Sequence, residues 1–180
     1  MKNGHRLLVV IVNYKTSTLV CNMLTKLTEQ LNSASDRVCI VDNNSGDGSV
    51  QRLNNYVEDN KLHDFVEVIA SEHNGGFSFG NNLAVRSILE DPENCPEFFL
   101  LLNPDTVVTE TAIPALLDFM EQHPEAGIAG SRLEEPDGTV QTSSFRFHTL
   151  ASELDSSMKL GVLSRLLAKW QVSPEVTTQN

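Results

Sequence analysis

The stretch FFLLLNPDTVV, residues Phe98 to Val108, decides the fold. Its apolar run is typical of a strand covered on both faces, and it stops abruptly at Asn103-Pro104-Asp105. Proline fixes its own φ and keeps the preceding residue out of the helical region, so this triplet is predicted to be an extended or turned strand exit. It suits either an ordinary surface turn or a carboxylate directed into the ligand cleft of an open α/β sheet.

The size and charge of the chain limit the classes of function. A length of 180 residues suits a single domain, and a formal charge of -11 opposes a nucleic-acid partner. A small anionic ligand stays possible, because a metal ion or helix N-termini can hold phosphate. Three cysteines without a C-x-x-C pair favour a reducing compartment over a zinc site or a disulfide scaffold. The apolar run near the N-terminus is too short for a secretory signal, so it is predicted to be the first strand.

Strands and helices are predicted to alternate along the chain. Continuous apolar runs predict strands at 7–12, 38–41, 65–70, 98–102 and 126–129. Apolar residues at helical spacing predict helices at 16–31, 50–57, 83–89, 113–123 and 152–170. The alternation favours an α/β fold, with a mainly parallel open sheet and helices on both faces. Residues 1–150 are predicted to form this domain, and residues 151–180 an amphipathic helix and tail.

Polar loops follow four of the predicted strands, and the carboxyl ends of parallel strands meet at one edge. Asp42 ends one strand and has two open interpretations: it caps its own turn, or it hydrogen-bonds a pyrimidine base or ribose hydroxyl. The loop NGGFSFGNN has the glycines of a phosphate-binding turn but neither the G-x-G-x-x-G order nor a P-loop lysine, so alone it favours a structural turn. Asp105 is either a solvated turn residue or a ligand for Mg²⁺ shared with phosphate oxygens and water.

Four motifs in a fixed order carry a family resemblance: VVIVNYK, VDNNSGDGS, NGGFSFGNN and LLLNPDTVV. Together they resemble the nucleotide-sugar half of a family 2 glycosyltransferase with the GT-A fold. The bacterial rhamnosyltransferase-like branch is most similar, since Asn-Pro-Asp replaces Asp-x-Asp there, and SRLEEPDGTVQTSSFRF extends the resemblance to about Phe147. It implies inverting transfer of a sugar such as rhamnose from a nucleoside diphosphate sugar to a glycan or lipid-linked acceptor, with Mg²⁺ or Mn²⁺, in polysaccharide biosynthesis.

The resemblance also implies a role for individual residues. Asp42 would contact the base, Gly76 would lie against ribose and diphosphate, and Asp105 would bind the metal. The nucleotide-sugar-binding residues that it implies are Val12, Asn13, Tyr14, Asp42, Asn44, Gly76, Gly80, Asn81, Asn82, Asn103 and Asp105.

The resemblance is incomplete on the acceptor side. No acid after Asp105 has the sequence context of the family's general base, which implies a base beyond Asn180 and a sheet incomplete at its C-terminus. The rival functions are a non-catalytic nucleotide-sugar-binding module and a sugar nucleotidyltransferase. The latter is disfavoured because VNYKTST lacks its glycine- and arginine-rich loop.

The predicted helix at 152–170 bears on partners and location. It suits packing against protein more than peripheral contact with the inner face of the cell membrane. A cytoplasmic location and self-association through exposed apolar surface are the accompanying expectations.

Overall fold

The computed structural model describes residues 6–90, 95–135, 137–141 and 143. The chain divides into two compact units, Met1–Ala129 and Gly130–Asn180. Strands and helices alternate in the first unit, as predicted. Its elements are β1 (Leu7–Asn13), α1 (Ser17–Glu29), β2 (Asp36–Asp42), α2 (Ser49–Asp59), β3 (Val66–Ala70), α3 (Phe77–Leu89), β4 (Phe98–Leu102) and α4 (Ala112–Gln122).

The four strands form one parallel sheet in the order β3-β2-β1-β4. The chain moves outward from β1 through β2 to β3 and then crosses back to the other side of β1. The strand order therefore reverses between β1 and β4, and ligands of open α/β sheets bind at the carboxyl edge beside such a reversal. The register pairs Asn13 with Asp42 and Ile11 with Leu102, so three carboxyl ends lie side by side at that edge.

Helices cover both faces of the sheet. Leu7, Val9 and Ile11 pack in a core with α1, α2 and α4. Leu8 and Val10 pack in a second core with α3. Both sets are at most 2% exposed, which explains why β1 is apolar at every position rather than at alternate ones.

The predicted strand at 126–129 is wrong. All of these residues are described, and none of them belongs to a strand. Alanine and glycine have low strand propensity and little apolar side chain to bury, and Ile128 is 93% exposed. Among the described residues, β4 consequently pairs with β1 alone, and its Phe99 and Leu101 are partly exposed.

The described part of the second unit is a small antiparallel hairpin. Its strands are β5 (Leu133–Glu134) and β6 (Val140–Gln141). The turn between them contains Asp137-Gly138, and Asp137 Oδ1 accepts a hydrogen bond from the Thr139 N–H at 2.9 Å. The predicted helix at 152–170 and the predicted boundary after residue 150 lie outside the described residues and stay predictions.

Across the described ranges, no helix combines the length and the apolar character needed to cross a bilayer.

Candidate functional site at the carboxyl edge of the sheet

Buried polar side chains gather where the strands end. A buried polar group is costly unless it is hydrogen-bonded, so each side chain of such a layer is expected to have hydrogen-bond partners in the protein. Its members, each at most 9% exposed, are Asn13, Asp42, Asn43, Ser45, Ser71 and Asn81.

Asp42 is the centre of this layer. Its Oδ1 accepts hydrogen bonds from Asn13 Nδ2 and Ser45 Oγ, both at 2.6 Å. Its Oδ2 accepts one from the Ser45 N–H at 3.0 Å, and the residue is 2% exposed. The turn-capping interaction is therefore present. A carboxylate has roughly four lone-pair positions, so one position on Oδ2 has no hydrogen-bond partner among the described residues. Contact between Asp42 and a base stays a prediction.

Asn13 connects Asp42 to the start of α1. Its Oδ1 accepts hydrogen bonds from the Thr16 N–H at 3.2 Å and from Thr16 Oγ1 at 3.0 Å. Thr16 occupies the N-cap position of α1, but its own side chain makes no capping bond. Tyr14 is half-exposed, with Lys15 Nζ 5.1 Å from its ring centroid, so an aromatic face and a cation border the site.

The loop after β2 is joined to the loop after β3. Asn44 has a φ of +58°, a left-handed conformation that asparagine tolerates better than most residues. Its Nδ2 donates to the Glu72 carbonyl at 3.2 Å. The Ser71 N–H donates to the Asp42 carbonyl at 2.9 Å, which continues the sheet pairing past the strand ends.

The glycine turn lies where α3 begins. Gly76 has a φ of +83° and is the N-cap of the helix, with no side-chain cap. A Cβ at Gly80 would come within 2.8 Å of the Val12 side chain, so glycine is needed for α3 to pack against β1. Asn81 is buried and donates to the Phe77 carbonyl at 2.9 Å, while its Oδ1 has no hydrogen-bond partner among the described residues. Asn82 is exposed.

Asn43 is a connection that sequence reasoning missed. Its Nδ2 donates to Asn74 Oδ1 at 2.8 Å and to the Gly76 carbonyl at 3.1 Å. Its Oδ1 accepts from the Gly75 N–H at 3.3 Å. No local sequence pattern singles out Asn43, because its partners lie more than thirty positions away and only strand pairing brings them close.

Asp105 stands on the other side of β1. The Thr106 N–H donates to the Asn103 carbonyl at 3.2 Å, which closes a turn over Pro104 and Asp105. Proline at the second position and a negative φ at the third are typical of a type I turn. Asn103 and Asp105 are both exposed.

The residues present fit a metal ion only if a substrate supplies further ligands. The described residues contain no group of three or more histidines, cysteines or acids that could hold an ion together. Asp105 offers a single exposed carboxylate beside the reversal point of the sheet. That is the donor set of a Mg²⁺ or Mn²⁺ ion that also takes phosphate oxygens and water.

A neighbouring acid, Asp47, has a structural role. Its Oδ1 accepts from the Ser49 N–H at 3.0 Å and from Ser49 Oγ at 2.5 Å, at the first residue of α2. The Ser49 hydroxyl is the main reason that the pKa of Asp47 lies below its usual value of 3.8. Asp47 therefore accepts from Ser49 as an ionised carboxylate just before Gly48, which is the N-cap of α2.

Comparisons with known proteins agree with this geometry. The family model for glycosyl transferase family 2 matches residues 8–173. A search of curated proteins found no match. Among solved structures, the mannosyltransferase PcManGT from Pyrobaculum calidifontis, in complex with GDP-Man and Mn²⁺, is 17% identical with a TM-score of 0.59, over 74% of this chain and 37% of that one.

TarS from S. aureus gives a similar result. Its residues 1–349 are 22% identical with a TM-score of 0.53, over 72% of this chain and 40% of that one. The same fragment in complex with UDP-GlcNAc is 19% identical with a TM-score of 0.53, over 72% and 38%.

The structural similarity shows the fold, which is the α/β fold of GT-A glycosyltransferases. The chain spans about two fifths of the length of these neighbours. Because the family model covers most of the sequence, the chain belongs to glycosyl transferase family 2.

Proposed function

We propose that the carboxyl edge of the sheet binds a nucleoside diphosphate sugar, and that the whole enzyme transfers this sugar to an acceptor. The proposal rests on one observation: the adjacent residues Asp42 and Asn43 are hydrogen-bonded to two different parts of one cleft. Asp42 organises the end of β1, and Asn43 is bonded to the glycine turn before α3. The complexes of PcManGT with GDP-Man and of TarS with UDP-GlcNAc support a donor of this class.

The base would lie over the ends of β1 and β2. The free lone pair on Asp42 Oδ2 accepts from a ring N–H, which uracil, thymine and guanine have and cytosine lacks. Tyr14 offers an exposed aromatic face to the base, and the Val12 and Asn13 backbone borders it. Asn44 closes the same side of the cleft through its bond to Glu72.

The diphosphate would lie between the glycine turn and Asp105. The first turn of α3 presents backbone N–H groups without a side-chain cap, which favours an anion at that helix end. Asn81 and Asn82 lie in the next turn of α3, and Asn103 precedes the metal ligand. A divalent ion held by Asp105 and the phosphate oxygens would offset the negative charge of the departing diphosphate.

The chemistry is an inverting displacement, with rhamnose as the first candidate sugar. The acceptor hydroxyl oxygen forms a bond to the anomeric carbon while the bond from that carbon to the diphosphate oxygen breaks. The hydroxyl proton passes to a general base, for which no residue of this chain is assigned. A glycan or a lipid-linked glycan is the acceptor, which would place the enzyme in the cytoplasm beside the membrane.

Calorimetry tests the binding step directly. UDP, dTDP and GDP are each titrated into the chain with and without Mn²⁺, and the matching nucleosides are the controls. Saturable binding that needs the diphosphate and tightens with Mn²⁺ is expected for at least one base. The absence of binding by all three diphosphates would overturn the proposal. Sugar transfer from a radiolabelled donor is then assayed on this chain and on any longer gene product that contains it. Binding in both with transfer in neither would make the protein a nucleotide-sugar-binding module instead.

A further inference from the structure

We propose that Asn43 is a positioning residue that holds the Gly75-Gly76 turn in the shape that receives the donor's diphosphate. The inference rests on the proposed function and adds to it a residue that touches no ligand. Asn43 is 2% exposed although it is polar, and its side chain is directed into the protein rather than into the cleft.

The side chain of Asn43 both donates hydrogen bonds to the turn and accepts one from it. Its amide donates to the Gly76 carbonyl and to Asn74 Oδ1, and its carbonyl oxygen accepts from the Gly75 N–H. Asn74 Oδ1 in turn accepts from the Gly76 N–H at 3.0 Å. The Gly75 N–H and the Gly76 carbonyl are therefore bonded directly to Asn43, and the Gly76 N–H is connected to Asn43 through Asn74.

The turn is supported on one side by Phe79. Residues 72–78 are all exposed, but a Cβ at Gly75 would come within 2.3 Å of the Phe79 ring, so this side chain packs against Gly75 and not against Gly76. Gly76 has a φ of +83°, and a Cβ there would meet nothing within 4 Å. Conformational freedom, rather than steric crowding, is what the Asn43 bonds reduce at this position.

Asn43 is itself fixed by the sheet. Its N–H donates to the Asn13 carbonyl at 2.8 Å, one step beyond the last paired residues of β1 and β2. The strand pair that places Asp42 under the base therefore also places the turn under the diphosphate. The distance between the two half-sites is set by a single peptide unit, from Asp42 to Asn43, and not by the loop after β3.

Two substitutions at Asn43 test this role. Asn43→Ala removes all three bonds without changing the charge. Asn43→Asp keeps the size and the acceptor for Gly75 but loses both donors. Because it also adds a buried negative charge, the uncharged Asn43→Ala variant decides the comparison of diphosphate affinities. Asn60→Ala is the matched control, because Asn60 is an exposed residue that donates to a backbone carbonyl at the far end of α2.

The first measurement needs no ligand: it is amide hydrogen exchange at Gly75 and Gly76. The second is the affinity for whichever of UDP, dTDP and GDP binds wild type most tightly, compared with the matching nucleoside. In Asn43→Ala we expect exchange at the two glycines to be at least about tenfold faster and diphosphate affinity to be at least about tenfold weaker, since a lost hydrogen bond contributes about 1 kcal/mol and 1.4 kcal/mol is a factor of ten. In Asn43→Asp, which keeps the acceptor for the Gly75 N–H, exchange should become faster at Gly76 alone. Nucleoside affinity and the Asn60→Ala protein should match wild type.

Each outcome decides the point. Unchanged exchange at the two glycines would overturn the positioning role. Equal weakening of nucleoside and diphosphate would also overturn it, because a general loss of structure would then explain the data. If wild type binds none of the three diphosphates, the proposed function fails, and the exchange measurement alone still decides whether Asn43 holds the turn.

Discussion

Replacing Asp42 by asparagine changes a single atom at the centre of the polar layer. The carboxylate accepts three hydrogen bonds, two on Oδ1 and one on Oδ2. In Asp42→Asn the remaining oxygen should keep the Oδ1 position, since two donors, Asn13 Nδ2 and Ser45 Oγ, meet there. The new amide then faces the Ser45 N–H, so two donors oppose each other in a buried position. The same exchange turns the lone pair offered to a base into a donor.

Stability and binding should therefore fall together. A hydrogen bond to a charged group contributes about 1.5–3 kcal/mol, so the free energy of unfolding should decrease by about that amount. The lost acceptor should weaken nucleotides with a ring N–H by about ten- to a hundredfold, since 1.4 kcal/mol is a factor of ten. Chemical denaturation measures the first quantity, and calorimetry with UDP, dTDP and GDP measures the second.

Asp36→Asn is the matched control at the opposite end of β2. Asp36 is also a buried aspartate, whose Oδ2 accepts from the Asn32 N–H at 2.8 Å and whose Oδ1 accepts from Ser35 Oγ at 3.2 Å. Its replacement should lower stability but leave nucleotide affinity unchanged, because it lies at the amino edge of the sheet. Wild-type affinity in Asp42→Asn, or equal loss of affinity in both variants, would refute a direct contact between Asp42 and the base.

Three further predictions concern the metal, the packing of α3 and the thiols. Asp105→Ala should abolish the tightening of nucleoside diphosphate binding by Mn²⁺, whereas Asp118→Ala on the exposed side of α4 should retain it. Calorimetry in which Mn²⁺ tightens binding to Asp105→Ala as much as to wild type would remove the metal role. Gly80→Ala should lower the free energy of unfolding by about 1–3 kcal/mol in denaturant titrations, because its Cβ would come within 2.8 Å of a β1 side chain. The Cβ of Gly127→Ala meets nothing within 4 Å, so the free energy of unfolding of that control should stay within about 0.5 kcal/mol of the wild-type value. Burial raises the pKa of Cys39 to about 12, so this thiol should stay unmodified by iodoacetamide at pH 8 in the native protein; mass spectrometry that finds rapid labelling there would contradict its burial.

The order and type of the elements could be predicted because the local pattern agreed with the tertiary environment. The strand β1 is apolar at every position, and a strand with both faces covered requires that pattern. The same reasoning failed at 126–129, where four small or apolar residues satisfied the pattern without enough side chain to bury. A short apolar run is ambiguous when its residues contribute little surface.

The location of the site could be predicted, but its internal connections could not. Parallel strands bring their carboxyl ends together, so the loops after β1, β2 and β4 had to meet at one edge. The hydrogen bonds of Asp42 and Asn43 in this site join residues more than twenty-five positions apart: Asp42 Oδ1 accepts from Asn13, and Asn43 accepts from Gly75. Side-chain bonds of that range carry no local sequence signal beyond the polarity of the residues.

Mapping amide shifts by NMR during a nucleotide titration tests the central claim most directly. UDP, dTDP and GDP are each added to the chain with Mg²⁺, which is diamagnetic and leaves signals near the ion visible. If the carboxyl edge is the donor site, the shifts that change should concentrate at residues 42–45, 74–82 and 103–106, on both sides of β1. Changes confined to the amino edge of the sheet, or no change with any of the three nucleotides, would contradict it.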